Sequence, residues 1–272
     1  MSKNLLAPSE IAEKMLDVSV KKARNTFGNM FLLGVMAGIF IAIGGAAATV
    51  MWGTTGDLGL SKYLGAAVFP VGLILVIIAG GELFTGNNLM TLGLMNGKIT
   101  PGELMKNWCA IYSGNFLGSI LIAVLVYKGQ LWGSADGLNL IGQKAVAIAS
   151  AKAGHSFSVA FYRAVLCNIV VVLAVWMALG ASTVQGKVLT LWFPVSAFVM
   201  SGYEHVIANM FFIPVGMFYG APVTWSGMIV SNFIPVTLGN IIGGGVVVPV
   251  AYHFIYLHGR RNRDGKDLKI AA

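Results

Sequence analysis

Charged residues are so rare in this chain, and so unevenly spaced, that the gaps between them dictate what it can fold into. No Asp, Glu, Lys or Arg lies between Arg24 and Asp57, Lys62 and Glu82, Lys106 and Lys128, Arg163 and Lys187, or Glu204 and Arg260. Crossing the hydrocarbon core of a bilayer takes roughly 20 apolar residues in a helix. The gaps therefore predict spans near 28–52, 64–81, 107–127 and 158–180, with a fifth over 188–203. The last gap is too long for one span. It is read as a second half-helix (207–219), a loop around Pro222 and a final span (229–257). Of the 272 residues 57% are hydrophobic and 10% charged, and mean hydropathy is +0.79. That excludes a disordered chain, which needs low hydrophobicity and high charge. It also leaves too little polar surface to cover a soluble enzyme of this size. The expected fold class is an all-α polytopic membrane protein with six transmembrane helices.

The net charge of +8 follows the topology. With six spans and a cytoplasmic N-terminus, Lys3, Lys14, Lys21, Lys22, Arg24, Lys98, Lys106, Lys187, Arg260, Arg261, Arg263, Lys266 and Lys269 fall inside. Lys62, Lys128, Lys144, Lys152 and Arg163 fall outside or near that face. This split satisfies the positive-inside rule. It places both termini on the cytoplasmic side; the expected location is a bacterial-type inner (plasma) membrane. No basic stripe interleaved with aromatics suggests nucleic acid. Glu10, Glu13 and Asp17 and the lack of an apolar core argue against a cleavable signal peptide in the first 20 residues. Residues 8–24 read as an amphipathic helix with Ile11, Met15 and Val18 on one face, lying at the membrane surface or acting in gating. The domain reading is an N-terminal amphipathic segment (1–27), a channel domain (28–258) and a basic tail (259–272). Cys109 and Cys167 lie in apolar runs and are read as small buried hydrophobes.

The two halves of the chain repeat each other. Phe69-Pro70-Val71 precedes Gly81-Glu82, and Phe193-Pro194-Val195 precedes Gly202-Tyr203-Glu204. Asn87 follows Glu82 by the same interval that separates Asn209 from Glu204. Gly114-Asn115-Phe116-Leu117-Gly118 matches Gly239-Asn240-Ile241-Ile242-Gly243. The offset stays between 204 − 82 = 122 and 239 − 114 = 125. Three spans per half (about 28–128 and 157–258) make the second half enter from the opposite side, an inverted repeat of the kind common in transporters and channels. In each half the middle span is interrupted by a polar patch, so the second and fifth helices are expected to be broken. Irregular backbone at membrane depth is tolerated only where protein or water covers it. Two matched breaks point to one shared pore.

Ionisable groups at such depth are functional candidates. His205 sits at a break, where imidazole either contacts a passing anion or links two helices as a satisfied interior group. Glu82 and Glu204 either satisfy the N–H groups at the start of a half-helix or coordinate an ion. Lys152 is either an interfacial anchor or an attractor of anions at the pore mouth. Asn115, Asn168 and Asn240 lie in spans and line a cavity or bond across helices. His155, His253 and His258 are read as surface groups.

These motifs together resemble the formate/nitrite transporter family, which also includes hydrosulfide channels. The resemblance covers about residues 8–258. It is carried by Gly81-Glu82-Leu83-Phe84-Thr85-Gly86-Asn87, by Leu166-Cys167-Asn168, by Ser201-Gly202-Tyr203-Glu204-His205 with Ala208-Asn209-Met210-Phe211, and by Asn232 through Gly244. It implies six spans in an aquaporin-like inverted repeat and a homopentamer with one pore per protomer. It implies that His205 is the central pore histidine and Thr85 its hydrogen-bonding partner. Lys152 would stand near the outer vestibule, with Asn168 and Asn209 as polar groups near the centre and Glu204 orienting His205 or its loop. Phe69, Leu73 and Phe198 would form an outer constriction, and Leu83, Phe84 and Val171 an inner one. The 128–157 connection looks compact and the 219–229 loop short, a departure that bears on substrate preference.

The expected function is passage of formate or nitrite, with hydrosulfide as a further substrate. An anion between apolar rings pays a desolvation cost of several kcal/mol or more. A weak-acid anion can take a proton, shared with His205, and cross as the neutral acid; chloride practically cannot. The partners are thus a small monovalent anion, protons and the lipid bilayer, with no cofactor. An aquaporin-like facilitator of small neutral solutes is the competing reading, although paired Asn-Pro-Ala motifs are absent. A membrane enzyme would want His-Glu-x-x-His spacing or a nucleophile beside the histidine, and neither occurs.

Overall fold

A computed structural model describes residues 5–134 and 137–258. The basic tail expected over 259–272 lies outside the described residues. Among the described residues, five helices are long and apolar enough to cross a membrane: α2 (Phe27–Thr54), α3 (Leu58–Gly80), α4 (Pro101–Lys128), α6 (Phe157–Gly180) and α9 (Trp225–Leu257). Between them lie α1 (Pro8–Ala23), α5 (Leu140–Ala153) and two shorter apolar helices, α7 (Val184–Met200) and α8 (Val206–Phe218). Short helical turns run from Phe84–Asn87 to Thr91–Met95 after α3. The charge-free gaps thus located these five long and two shorter apolar helices to within six residues at either end.

Side-chain caps start these helices where the hydrophobic runs begin. Thr26 accepts from the Asn29 N–H and Asp57 from the Leu60 N–H. Thr100 and Glu103 form a reciprocal capping box ahead of Pro101. Thr183 and Thr224 cap α7 and α9. The unforeseen helix is α5. Asn139 caps it by accepting from the Ile141 and Gly142 N–H groups. It follows a two-residue antiparallel pairing of Gly133–Ser134 with Gly137–Leu138. The 128–157 connection therefore carries a hairpin and a four-turn helix packed against α8 and α2.

Matched backbone breaks interrupt the two halves. Gly80 (φ 98°) ends α3 and Gly202 (φ 72°) follows α7. Both need the left-handed conformation that only glycine adopts at little cost. Beyond each break the chain re-enters a helix, at Phe84 and at Val206. The repetition extends to single atoms. Asn115 Oδ1 accepts from the Phe84 N–H while its Nδ2 donates to the Gly34 and Glu82 carbonyls. Asn240 Oδ1 accepts from the Val206 N–H while its Nδ2 donates to the Ala164 and Glu204 carbonyls. These two asparagines pin the breaks to the neighbouring spans rather than line a cavity. Glycines let those spans touch: a Cβ on Gly118 would overlap the Val35 carbonyl, and one on Gly243 the Val165 carbonyl.

The N-terminal helix also belongs to the bundle. The buried residues of α1 are Ile11, Ala12, Met15, Ser19 and Ala23, and Lys14 Nζ donates to the Leu179 carbonyl at 3.0 Å. Val18 is half-buried. The two cysteines differ from expectation in part: Cys167 is buried, but Cys109 is exposed on α4.

Candidate functional site

Two cavities lie in line at the second break. The larger, about 400 Å³, is an open vestibule whose floor includes Phe69, Phe198, Glu204, His205 and Asn209. Beneath it is a small void of about 10 Å³, room for about one water, walled by Ile41, Phe69, Leu73, Leu83, Val171, Val195, Phe198 and His205. Phe69 and Phe198 meet edge to face at 5.9 Å, and the Phe198 ring stacks on His205 at 6.0 Å. Five of the six residues expected to form constrictions line this void together. Phe84 does not. Its ring packs edge to face on Trp108 and Tyr112, on α4 and away from the void. The reason is local: Leu83 is extended backbone at the start of the half-helix, so Leu83 and Phe84 point to different sides. Ile41 and Val195 were not singled out in the sequence, because nothing in an apolar helix marks which apolar residue faces a pore. The repeat would not have found Val195 either, because it pairs Val195 with Val71, which does not line the void.

His205 is the N-cap of α8. Its Nδ1 accepts from the Ala208 N–H at 3.1 Å. Its Nε2 is 2.8 Å from Thr85 Oγ1. A ring nitrogen that accepts carries no proton, so the remaining proton sits on Nε2 and is donated to Thr85. The hydrogen-bond network thus fixes the tautomer, and the polar N–H edge faces Thr85 beside the void. Both residues are buried. The matching position in the first half is Leu83 (205 − 83 = 122), which also faces the void but caps with no side chain. One half supplies an apolar wall and the other a hydrogen-bond donor.

The carboxylates are not helix caps. Among the described residues, neither Glu82 nor Glu204 accepts from a half-helix N–H. Glu204 Oε1 and Oε2 accept from Lys152 Nζ at 3.0 and 3.1 Å, and Oε2 accepts from Asn209 Nδ2 at 2.7 Å. Asn209 Nδ2 also donates to Asn232 Oδ1, and Asn232 donates to the Lys152 carbonyl. The first half repeats this. Glu82 Oε2 accepts from Asn87 Nδ2 at 2.7 Å, Asn87 donates to Asn107 Oδ1, and Lys22 Nζ lies 3.7 Å from Glu82 and donates to Asn87 Oδ1 at 2.5 Å. Lys22, on α1, was not singled out in the sequence. Its equivalence to Lys152 becomes visible only once α1 and α5 are both seen as helices delivering a lysine to a break. Lys152 itself is turned inward, with Nζ 5.6 Å from the Phe212 ring centroid, and is no interfacial anchor.

Asn168 Nδ2 donates to the Asn240 carbonyl at 2.7 Å and to the Thr85 carbonyl at 3.3 Å. The oxygens of Asn168 and Asn209 (Oδ1 in each) are buried without a partner among the described residues. Both amides spend their N–H groups on oxygens, which leaves each with an acceptor; Asn209 lines the vestibule, whereas Asn168 lines neither cavity. Among the described residues no group of His, Cys, Asp and Glu is placed to hold a metal ion.

Comparison with known proteins agrees with this geometry. Residues 9–254 match the family described as formate/nitrite transporter. A probable formate transporter of Methanothermobacter thermautotrophicus is 40% identical over 94% of this chain and 99% of its own length. The formate channel FocA of Escherichia coli K12 is 36% identical over 93% of this chain and 95% of its own. A solved pentameric formate channel with formate bound superposes with a TM-score of 0.75 at 39% identity, covering 85% of this chain and 98% of that one. These relatives are named as transporters and channels, not enzymes. The long apolar helices, the void and this likeness lead to one conclusion: the chain is a multi-pass membrane protein that belongs to the formate/nitrite transporter family.

Proposed function

We propose that this chain is a channel for small monovalent weak-acid anions, with formate as the first substrate and nitrite and hydrosulfide in the same class. The observation that carries this reading is His205, hydrogen-bonded to Thr85, in the wall of a water-sized apolar void. A bare anion in such a space loses its hydration and gains only the Nε2–H and the Thr85 hydroxyl. A protonated acid fares better, because it carries no net charge into the apolar ring. The anion is drawn in by Lys152 and accepts the Nε2–H, which Thr85 releases. It then crosses the ring of Phe69, Leu73, Phe198, Leu83 and Val171 after taking up a proton. Phe84 supports the Leu83 wall from behind. In this tautomer His205 donates a hydrogen bond, and its protonated form must give up the Ala208 cap. Passage is therefore pH-sensitive, with the proton arriving from solvent and passing by way of the histidine. Glu204 orients Lys152 and Asn209 beneath the vestibule.

In the same proposal the chain makes six passes. The second is α3 with the turns to Met95, the fifth α7 with α8, and the halves are inverted. Both termini are cytoplasmic in a plasma membrane. The assembly is a homopentamer, a state supported by likeness to the solved formate channel described as pentameric. The test is a flux panel in liposomes. Formate and nitrite should pass faster as pH falls, while chloride and glycerol stay excluded. Glycerol passage with formate exclusion would establish the neutral-solute reading instead.

A further inference from the structure

The cations assigned to the minority face by charge spacing are not scattered. Four of those five, Lys62, Lys144, Lys152 and Arg163, line the one 400 Å³ vestibule, which also holds His155. They come from four places in the sequence: α3, the middle and end of α5, and α6. Among the described residues, Glu204 is the one acidic group in the wall, and Lys152 already pairs with it. Arg163 donates to His155 Nε2 at 3.0 Å, which leaves most of its guanidinium N–H groups for other acceptors. Lys62 and Lys144 have no carboxylate of their own among the described wall residues. A concave, low-dielectric wall focuses such a field.

We propose that this vestibule is a binding site for doubly charged oxyanions, the class of sulfate and short dicarboxylates, seated among Lys62, Lys144 and Arg163 and blocking the pore they cannot cross. The charge arithmetic separates this class from the transported one. A dianion gains about twice the attraction of a monoanion from the same cations. The cost of carrying it into an apolar ring rises faster, as the square of its charge. Reaching neutrality takes two protons, not one. A dianion is thus held at the mouth and stopped at Phe69 and Phe198. The volume suits it: about 400 Å³ exceeds the roughly 30 Å³ of a water many times over, leaving space for a hydrated or partly hydrated oxyanion.

The site rests on the vestibule alone, whereas its blocking effect rests also on the proposed pore. Two measurements keep these apart. In calorimetry on the full chain in detergent at one fixed ionic strength, sulfate should bind at one site per chain and lose at least tenfold in affinity in a Lys62→Ala/Lys144→Ala double variant; in a separate salt series the parent's affinity should weaken steeply as salt rises. Lys128→Ala, which removes a cation outside the vestibule wall, is the control and should bind as the parent does. Equal weakening in both variants, or chloride binding as tightly as sulfate, would overturn the site. In liposomes with sulfate on both sides, formate flux should fall several-fold, and the double variant should escape that inhibition. Formate flux indifferent to bound sulfate would overturn the block. No formate flux even without sulfate would overturn the pore reading and leave calorimetry to judge the site.

Discussion

At the level of single residues, function is written into differences between two copies of one pattern. Both halves carry a lysine–glutamate–asparagine array and an asparagine that pins the break, yet one void-facing cap is Leu83 and the other His205. Thr85→Val keeps the shape at the void and leaves Nε2–H without its acceptor. Stranding a buried donor costs about 1–3 kcal/mol, so stability measured by denaturation should drop by that amount and formate flux should fall. Lys152→Met strands the Glu204 carboxylate, for which about 3 kcal/mol is expected. Lys152→Met/Glu204→Gln should recover most of the stability but not the flux. His155 titrates at the vestibule. Its desolvation lowers its pKa below the ordinary imidazole value, Glu204 pulls the other way, and Arg163 and Lys152 add to the lowering. Lys62 and Lys144 share that wall. His155 is therefore neutral at pH 7 and becomes a further cation only on acidification. Sulfate affinity, measured by titration calorimetry from pH 7 downward, should rise below the usual imidazole range, and His155→Ala should flatten that rise. The sequence marked His205, Glu204, Lys152 and Thr85 because polar groups stand out in apolar surroundings. It could not separate Leu83 from Phe84, since a single extended residue decides which one faces the void.

Among the elements, glycine does two different jobs. Gly202 holds a left-handed turn with open space around it, so Gly202→Ala should cost about 1–2 kcal/mol through the backbone alone. Gly243 lies against the Val165 carbonyl, so Gly243→Ala forces α6 and α9 apart. An overpacking cost of about 1–3 kcal/mol is expected there, and chemical denaturation in detergent would compare the two. The spans and breaks were legible because charge spacing and the offset of 122–125 residues act along the chain. Helix α5 was not, because its mixed composition matched neither a span nor a clear amphipathic stripe. The burial of α1 against the bundle was likewise hidden, since an amphipathic face does not say whether protein or lipid covers it.

Over the molecule as a whole, a basic vestibule opens onto a water-sized apolar void whose wall includes a histidine bonded through Nε2 to Thr85. In the proposed function, attraction, rejection of charge and proton-assisted passage are separate tasks of separate parts. They come together only if His205 acts through Nε2 rather than merely closing a helix end. Asparagine is as good an N-cap as any residue, so His205→Asn keeps the Ala208 bond while removing the imidazole. The decisive measurement is formate flux across pH 5–8 in liposomes containing the parent chain or the properly folded His205→Asn variant. Parent flux should rise on acidification, and the variant's flux should be altered and no longer follow pH in the same way. Identical flux and identical pH profiles in the two proteins would contradict a central role for the imidazole.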